Sequence, residues 1–480
     1  MVAVPLLHGI TTNEAAEFQL SHPLNLEPII IDSGVSKGQL RHTAGTEDFA
    51  AGPAPMRAAI VWNDLYYAVM GEWLVSVNAG GAVQTIGSVG GAGTASLDYS
   101  FDRLIIRSGT ALWYYDGSAL RQVTDIDLGA VVDSLWVDGY TAFTDGKYLG
   151  VTEINDPFEV KPLKYASAEA DPDPIVGLIK LRGEVYVLGT DTIQVFQNVG
   201  GAQFPFQVVE GATIQTGCVG TQAKTLFGET FAFVGSSRSD ALGVHVAGSA
   251  TSSKISTRVV DDALARVATP SQIVLEKRIS RDELRLLVHL PDETWVFLAK
   301  ATEKAGEPIW YRCQSGIGKA YRIRWAVFAY NRFLVGDLNS GAIGSLRDVA
   351  TRHFGEPAQW QFDVGFVYNQ ARGAIIDRIE LVGLPGRGDD SLGADVFMSY
   401  SRDGETFTPE RAVSAGKAGE RYKRVQWRPH ARVRNYMGVR FRGYSAMAAG
   451  FGCVMAGLPG LEPGKITARF PCNPTPTVLP

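Results

Sequence analysis

Between about residues 60 and 350 the chain repeats one unit, an apolar strand, a turn rich in Gly, Asp or Asn, and a second strand. The pairs are 65–69 with 73–77, 103–106 with 111–115, 140–143 with 148–151, 184–188 with 192–196, 230–234 with 243–246, 285–288 with 294–297, and 332–335 with 342–345. Successive units start roughly 40 to 50 residues apart, the period of four-stranded propeller blades. One blade cannot bury both of its faces, so radial stacking must complete the core and leave only short edges. Insertions blur the count, and the expectation is an all-β chain with a six- or seven-bladed β-propeller. Helical periodicity is confined to residues 259–267, where an Asp-rich turn opens the segment and Thr269-Pro270 stops it.

At 480 residues the chain is too long for one core, and the length alone suggests two to four units. The 53 glycines fit many strands joined by tight turns. After Pro357 the repeat gives way to alternating strands at 375–382, 394–400, 423–427 and 437–442, which predict a separate β-sandwich or jelly-roll-like domain. The expected division is an N-terminal arm with lead-in strands (1–59), the propeller (60–352), the sandwich (353–457) and a Pro-rich extended tail (458–480), ordered only if a partner holds it.

Enzyme signatures are missing from the sequence. The seven histidines are scattered, with no i, i+4 pair, and there is no G-x-S-x-G. Cys218, Cys313, Cys453 and Cys472 are far apart, which fits buried free thiols made in a reducing compartment. The Gly-rich run at 87–94 has no Lys-Ser or Lys-Thr after it and reads as a flexible loop rather than a phosphate cradle. Ser401, Asp403, Gly404 and Phe407 approximate a sialidase-type Asp-box, but compressed by one residue and occurring once; a tight hairpin is the better reading. No catalytic residue, cofactor or metal is nominated. No apolar stretch approaches the 18 residues of a membrane span, and the N-terminus lacks the basic region of a signal peptide.

The net charge of −5 argues against tight non-specific DNA binding. Against it stands one basic segment, carrying Arg421, Lys423, Arg424, Arg428, Arg432, Arg434, Arg440 and Arg442 with no acidic residue among them. Arg424, Gln426 and Arg428 alternate with Val425 and Trp427, as Arg440 and Arg442 do with Val439 and Phe441, so the arginines are expected on one face of a half-buried sheet. Three roles stay open for that face: plain solvation, a protein interface through bidentate pairing with carboxylates, or contact with nucleic acid.

Three segments together resemble the tail hub (nozzle) proteins of short-tailed bacteriophages, also called packaged-DNA stabilisation proteins. The first is Asn25-Leu-Glu-Pro28, then Gly34-Val-Ser-Lys37-Gly38-Gln-Leu40-Arg41, then Ala44-Gly45-Thr46, with Ala44 where the family usually has proline. The second is the hairpin at 111–118, and the third the run at 397–407 followed by Arg424, Trp427 and the strands to Arg442. The resemblance covers roughly residues 20 to 457. It implies a structural virion protein without enzymatic activity, assembled in the host cytoplasm into a ring of six copies below the portal and its adaptor. Such a ring, with needle, spike or fibre proteins around or below it, closes the capsid after packaging. Genomic DNA passes through its channel without specific binding, which an acidic or neutral bore favours. The competing readings are a phage-tail propeller hydrolase or lyase acting on glycans, and a monomeric propeller serving as a protein-binding platform.

Overall fold

The computed structural model describes residues 2–4, 9–12, 18–30, 38–154, 156–167, 173–201, 203–238, 240–316, 318–367, 374–383, 395–417, 419–433, 436–444 and 450–457. The chain divides into two compact units, Ala44–Glu356 and Met1–Thr43 with Pro357–Pro480.

The first unit is a propeller of seven four-stranded antiparallel sheets. Blades 1 to 6 run in chain order over 56–88, 95–122, 133–167, 175–208, 224–254 and 274–313. Blade 7 has three strands of its own, Ile323–Ala329, Arg332–Asp337 and Ala342–Arg347, and takes Gly45–Ala51 as its fourth. The register runs from Ala342 opposite Ala51 to Arg347 opposite Gly45, so a strand from before blade 1 closes the ring. The first strands of successive blades neighbour one another all the way round, including Ile323–Ala329 beside Met56–Trp62. They are therefore the innermost strands.

Every strand pair expected from the sequence is the second and third strand of a blade. These sit between neighbouring blades and are covered on both sides, which is why they read as continuous apolar runs rather than alternating ones. Leu104–Ser108 and Thr294–Leu298, for example, are buried throughout. Several turns after the first strands place both central residues at positive φ, as at Asn63-Asp64, Arg281-Asp282 and Tyr330-Asn331. Two-residue turns of this hand match strand twist and favour Asn, Asp and Gly. The expected helix occupies Arg258–Ala265; a second, Ala299–Ala305, gave no sequence signal.

The second unit pairs two sheets over one core. One has the order Leu26–Ile30, Gly38–His42, Gly450–Gly457, Arg378–Gly383, Val425–Trp427, with Val2–Val4 also paired to Gly450–Gly457. The other has the order Gln359–Val367, Tyr436–Tyr444, Asp395–Ser401, Arg411–Ser414. Aromatic side chains fill the gap: Trp360 lies 4.9 Å from Phe451, Phe362 5.1 Å from Phe441 and Trp427 5.4 Å from Phe441, centroid to centroid. Truncating one such ring typically costs about 3–5 kcal/mol.

Residues 1–59 thus do not form a single arm. Leu26–Ile30 and Gly38–His42 belong to the sandwich, Gly45–Ala51 closes blade 7, and Met56–Trp62 opens blade 1. Composition could not reveal this, because strand partners about 300 residues away or more leave no local mark. The strand expected at 375–382 is broken at Asp377 into Ala374–Ile376 and Arg378–Gly383, which pair with different partners. The Pro-rich tail at 458–480 lies outside the described residues.

Candidate functional site

The basic segment does not form one face. Val425–Trp427 and Tyr436–Tyr444 lie in different sheets of the sandwich, each sending its apolar residues into the shared core. Arg424 and Arg428 therefore flank one outer face, and Arg440 and Arg442 lie on the opposite one. Period-two alternation fixed the direction within each strand but not which sheet each strand joined. Several of these cations are also paired within the chain. Arg424 makes a two-pronged contact with Glu380, its Nε donating at 2.7 Å. Arg440 holds Asp363 through two bonds of 2.9 Å and stacks over Phe407 at 3.9 Å. Arg442 reaches Glu410 at 2.7 Å, and Lys423 lies 3.8 Å from Glu420. Arg421, Arg428 and Arg432 are exposed, while Arg434 falls outside the described residues.

The residues carrying the family resemblance have structural tasks. Asn25 adopts a left-handed φ of 53° and donates from its side chain to the Gln359 carbonyl at 2.5 Å. Arg41 pairs with Glu27 at 2.8 Å, Leu40 is fully buried in the sandwich core, and Gly38 begins that strand. A Cβ on Gly45 would stand 2.6 Å from the Ala350 and Arg352 carbonyl oxygens, so only glycine lets the closing strand start here. Gly34 and Lys37 lie outside the described residues.

Carboxylates on the inner strands join the blades. The Asp98 carboxylate accepts from the Trp136 N–H of the next blade at 2.7 Å, and the Asp133 carboxylate from the Leu178 N–H at 2.9 Å. Glu276 accepts from the Trp325 and Ala326 N–H groups at 2.6 and 3.2 Å, where a bulge with Trp325 at φ 56° turns both donors toward it. Burial alone would raise the Glu276 carboxyl, but His289, these N–H groups and Arg324 hold it below the usual range. Bonds also join blades that are not neighbours. Lys224 of blade 5 reaches Asp133 of blade 3 at 2.7 Å, and Gln222 donates to the Ala95 carbonyl of blade 2 at 3.0 Å.

The Gly-rich run at 87–94 is not the flexible loop its glycine content suggested. Its carbonyls surround the Arg57 guanidinium, with Gly93 at 2.8 Å and Thr94 at 3.1 Å. A phosphate cradle would point N–H groups inward; this loop points oxygens and holds the protein's own cation. At 401–407 the Ser401 hydroxyl accepts from the Gly404 N–H at 2.8 Å, and Asp403 accepts from the Glu405 and Thr406 N–H groups. That is a self-contained hairpin, as read from the sequence. Among the described residues no group of His, Cys, Asp or Glu could hold a metal ion. Cys218 and Cys313 are buried thiols, and burial pushes the Cys218 thiol up to about 11.

Two family models, both described for bacteriophage P22 Gp10, match end to end: its beta-propeller over residues 2–351 and its beta-sandwich over residues 359–456. The chain belongs to the P22 Gp10 family. It is 25% identical over 383 residues to the tail hub protein gp10 of Salmonella phage P22, covering 74% of this chain and 78% of that one. Among solved structures, the N-terminal domain of Nup159 aligns at 11% identity and a TM-score of 0.41, covering 68% of this chain and 98% of that one. The Pan2 WD40 domain of Neurospora crassa aligns at 9% and 0.43, covering 66% and 97%. Both likenesses are too loose to add to the family assignment. Membership makes this chain a structural tail hub protein of a short-tailed phage, a virion component and not an enzyme, and the glycan-hydrolase alternative falls with it.

The inter-blade carboxylates and the Lys224–Asp133 bridge escaped the sequence reading. No local signal set them apart: Asp98 and Asp133 share their strands with serine, and Glu276 is followed by Lys277 and Arg278.

Proposed function

We propose that this hub subunit assembles with five further copies into a ring that continues the channel of the portal and its adaptor, seals packaged DNA in the capsid and conducts it at ejection. Needle, spike or fibre proteins would attach around or below it. The observation that carries the reading is the match of both domains, in order, to the P22 Gp10 family and its tail hub protein.

Two physical features support it. Bonds between non-neighbouring blades, from Lys224 to blade 3 and from Gln222 to blade 2, occupy the inner ring, so DNA would run between subunits and not through a propeller. The exposed large apolar side chains of the propeller also gather at one end. Nine of the eleven among the described residues lie where first strands meet second and third meet fourth, including Tyr99, Phe101, Ile154, Val199, Ile279, Phe328 and Val349. Monomers rarely concentrate apolar surface in this way, and assembly subunits do.

The test is DNA retention. Particles made without this protein should package a genome and then lose it to added nuclease, and purified protein added back should restore protection. Particles that keep their DNA without it would refute the sealing role.

A further inference from the structure

A turn of the propeller and a cavity of the sandwich fit one another. The first is a turn between blades 2 and 3. Asp125-Ile-Asp-Leu128 is closed by the Leu128 N–H on the Asp125 carbonyl at 3.2 Å. The Asp125 carboxylate accepts from the Asp127 N–H at 2.9 Å and, with its other oxygen, from the Val160 N–H at 3.2 Å. The Tyr165 hydroxyl donates to the Asp127 carbonyl. Held from both sides, the turn presents Ile126 at 94% exposure. Single exposed apolar side chains are ordinary. This one is fixed at a turn tip between two carboxylates, with no Lys or Arg between residues 123 and 132, so it gives up little conformational freedom on docking.

The second feature is a cavity of about 210 Å³ in the sandwich. Its floor is apolar, with Leu381, Val396 and Phe451, and its rim carries Arg421, Lys423 and Arg424. Glu380, paired to Arg424, is the carboxylate among the described lining residues. An apolar cavity of roughly 150 Å³ is enough for benzene, so this one has room for the side chain of an isoleucine.

We propose that Ile126 of one copy seats in this cavity of a second copy, with the Asp127 carboxylate facing the Arg421 and Lys423 rim. The proposal rests on the reading that the hub is built from identical subunits. The charge match selects the occupant, because an acidic-flanked aliphatic knob meets a cation-rimmed apolar hole. Knob and hole are built from different residues, as a heterologous, ring-forming contact requires.

The full-length chain, mixed from isotopically light and heavy copies, tests this by sedimentation velocity and carbodiimide coupling. Wild type should self-associate and yield an Asp127–Lys423 cross-link joining one light to one heavy peptide. Ile126→Asp should weaken association by roughly tenfold or more, the effect of losing one buried aliphatic side chain, with an unchanged circular dichroism spectrum. Asp127→Lys should weaken it too, and Lys423→Asp added to Asp127→Lys should restore it. Wild type that assembles while Ile126→Asp and both charge reversals assemble equally well would overturn this contact and leave the ring standing. Cross-links found only within one isotopic label would overturn it as well. A wild-type chain that stays monomeric at every concentration, alone and with the head-to-tail platform present, would overturn the ring and this contact together.

Discussion

The Lys224 ammonium lies 2.7 Å from the Asp133 carboxylate, although blade 4 separates the blades that carry them. Both side chains are nearly buried, at 10% and 3% exposure. Asp133 also accepts from Ser96 of blade 2 and from the Leu178 N–H of blade 4, so one carboxylate ties four blades together.

Asp133→Ala should therefore destabilise the propeller by about 3–5 kcal/mol, because it strands the Lys224 charge as well as removing bonds. Adding Lys224→Met should recover part of that loss. Urea denaturation of the three proteins checks both statements, and a neutral Asp133→Ala would show that the bridge is not structural.

Gly45→Ala should weaken the closing strand of blade 7. The new Cβ would meet two backbone oxygens at 2.6 Å, and backbone cannot swing aside as a side chain can. An overpacking loss of about 1–3 kcal/mol is expected. Amide exchange should rise first along Gly45–Ala51 and its partner Ala342–Arg347, which native-state hydrogen exchange can resolve strand by strand.

The sandwich should lose stability in mild acid. Burial pushes the His42 imidazole down to about 4, so the neutral ring is the folded form while an unfolded chain protonates near 6.5. Its contribution is complete above pH 6.5 and declines as the pH falls toward 4, by about 3 kcal/mol in all. His42→Leu should flatten the decline in that window. An unchanged pH profile in the variant would place the acid sensitivity elsewhere.

Arg440→Met should cost stability, about 2 kcal/mol, through the nearly buried Asp363 that it leaves without its guanidinium. Arg428→Ala and Arg432→Ala, at exposed positions, should leave the melting temperature within a degree or so. Differential scanning calorimetry separates the two outcomes, and equal effects would mean that Arg440 is as dispensable as the solvated arginines.

Local chemistry explains what could be read in advance. The strand pairs of every blade were legible because both faces of their strands are buried, so that runs such as Phe231–Val234 carry little but apolar residues. Turn residues inside the pairs, such as Gly71 and Gly109 at positive φ, marked the spacing. Distant pairing was illegible: nothing near Gly45–Ala51 announces a partner at 342–347, and nothing near Leu26–Ile30 announces a sandwich built from the other end of the chain. The same blindness merged Arg424 and Arg440 into one ladder, because their carboxylates, Glu380 and Asp363, lie 44 and 77 residues away.

In the proposed function, identical copies of this chain form the ring that closes the tail channel. Electron microscopy of purified particles, with this protein carrying a label, tests it most directly. Six labels should be arranged around the tail axis, below the portal and its adaptor, with density for DNA ending at the ring. Particles whose tail axis carries a single copy, or none, would contradict it.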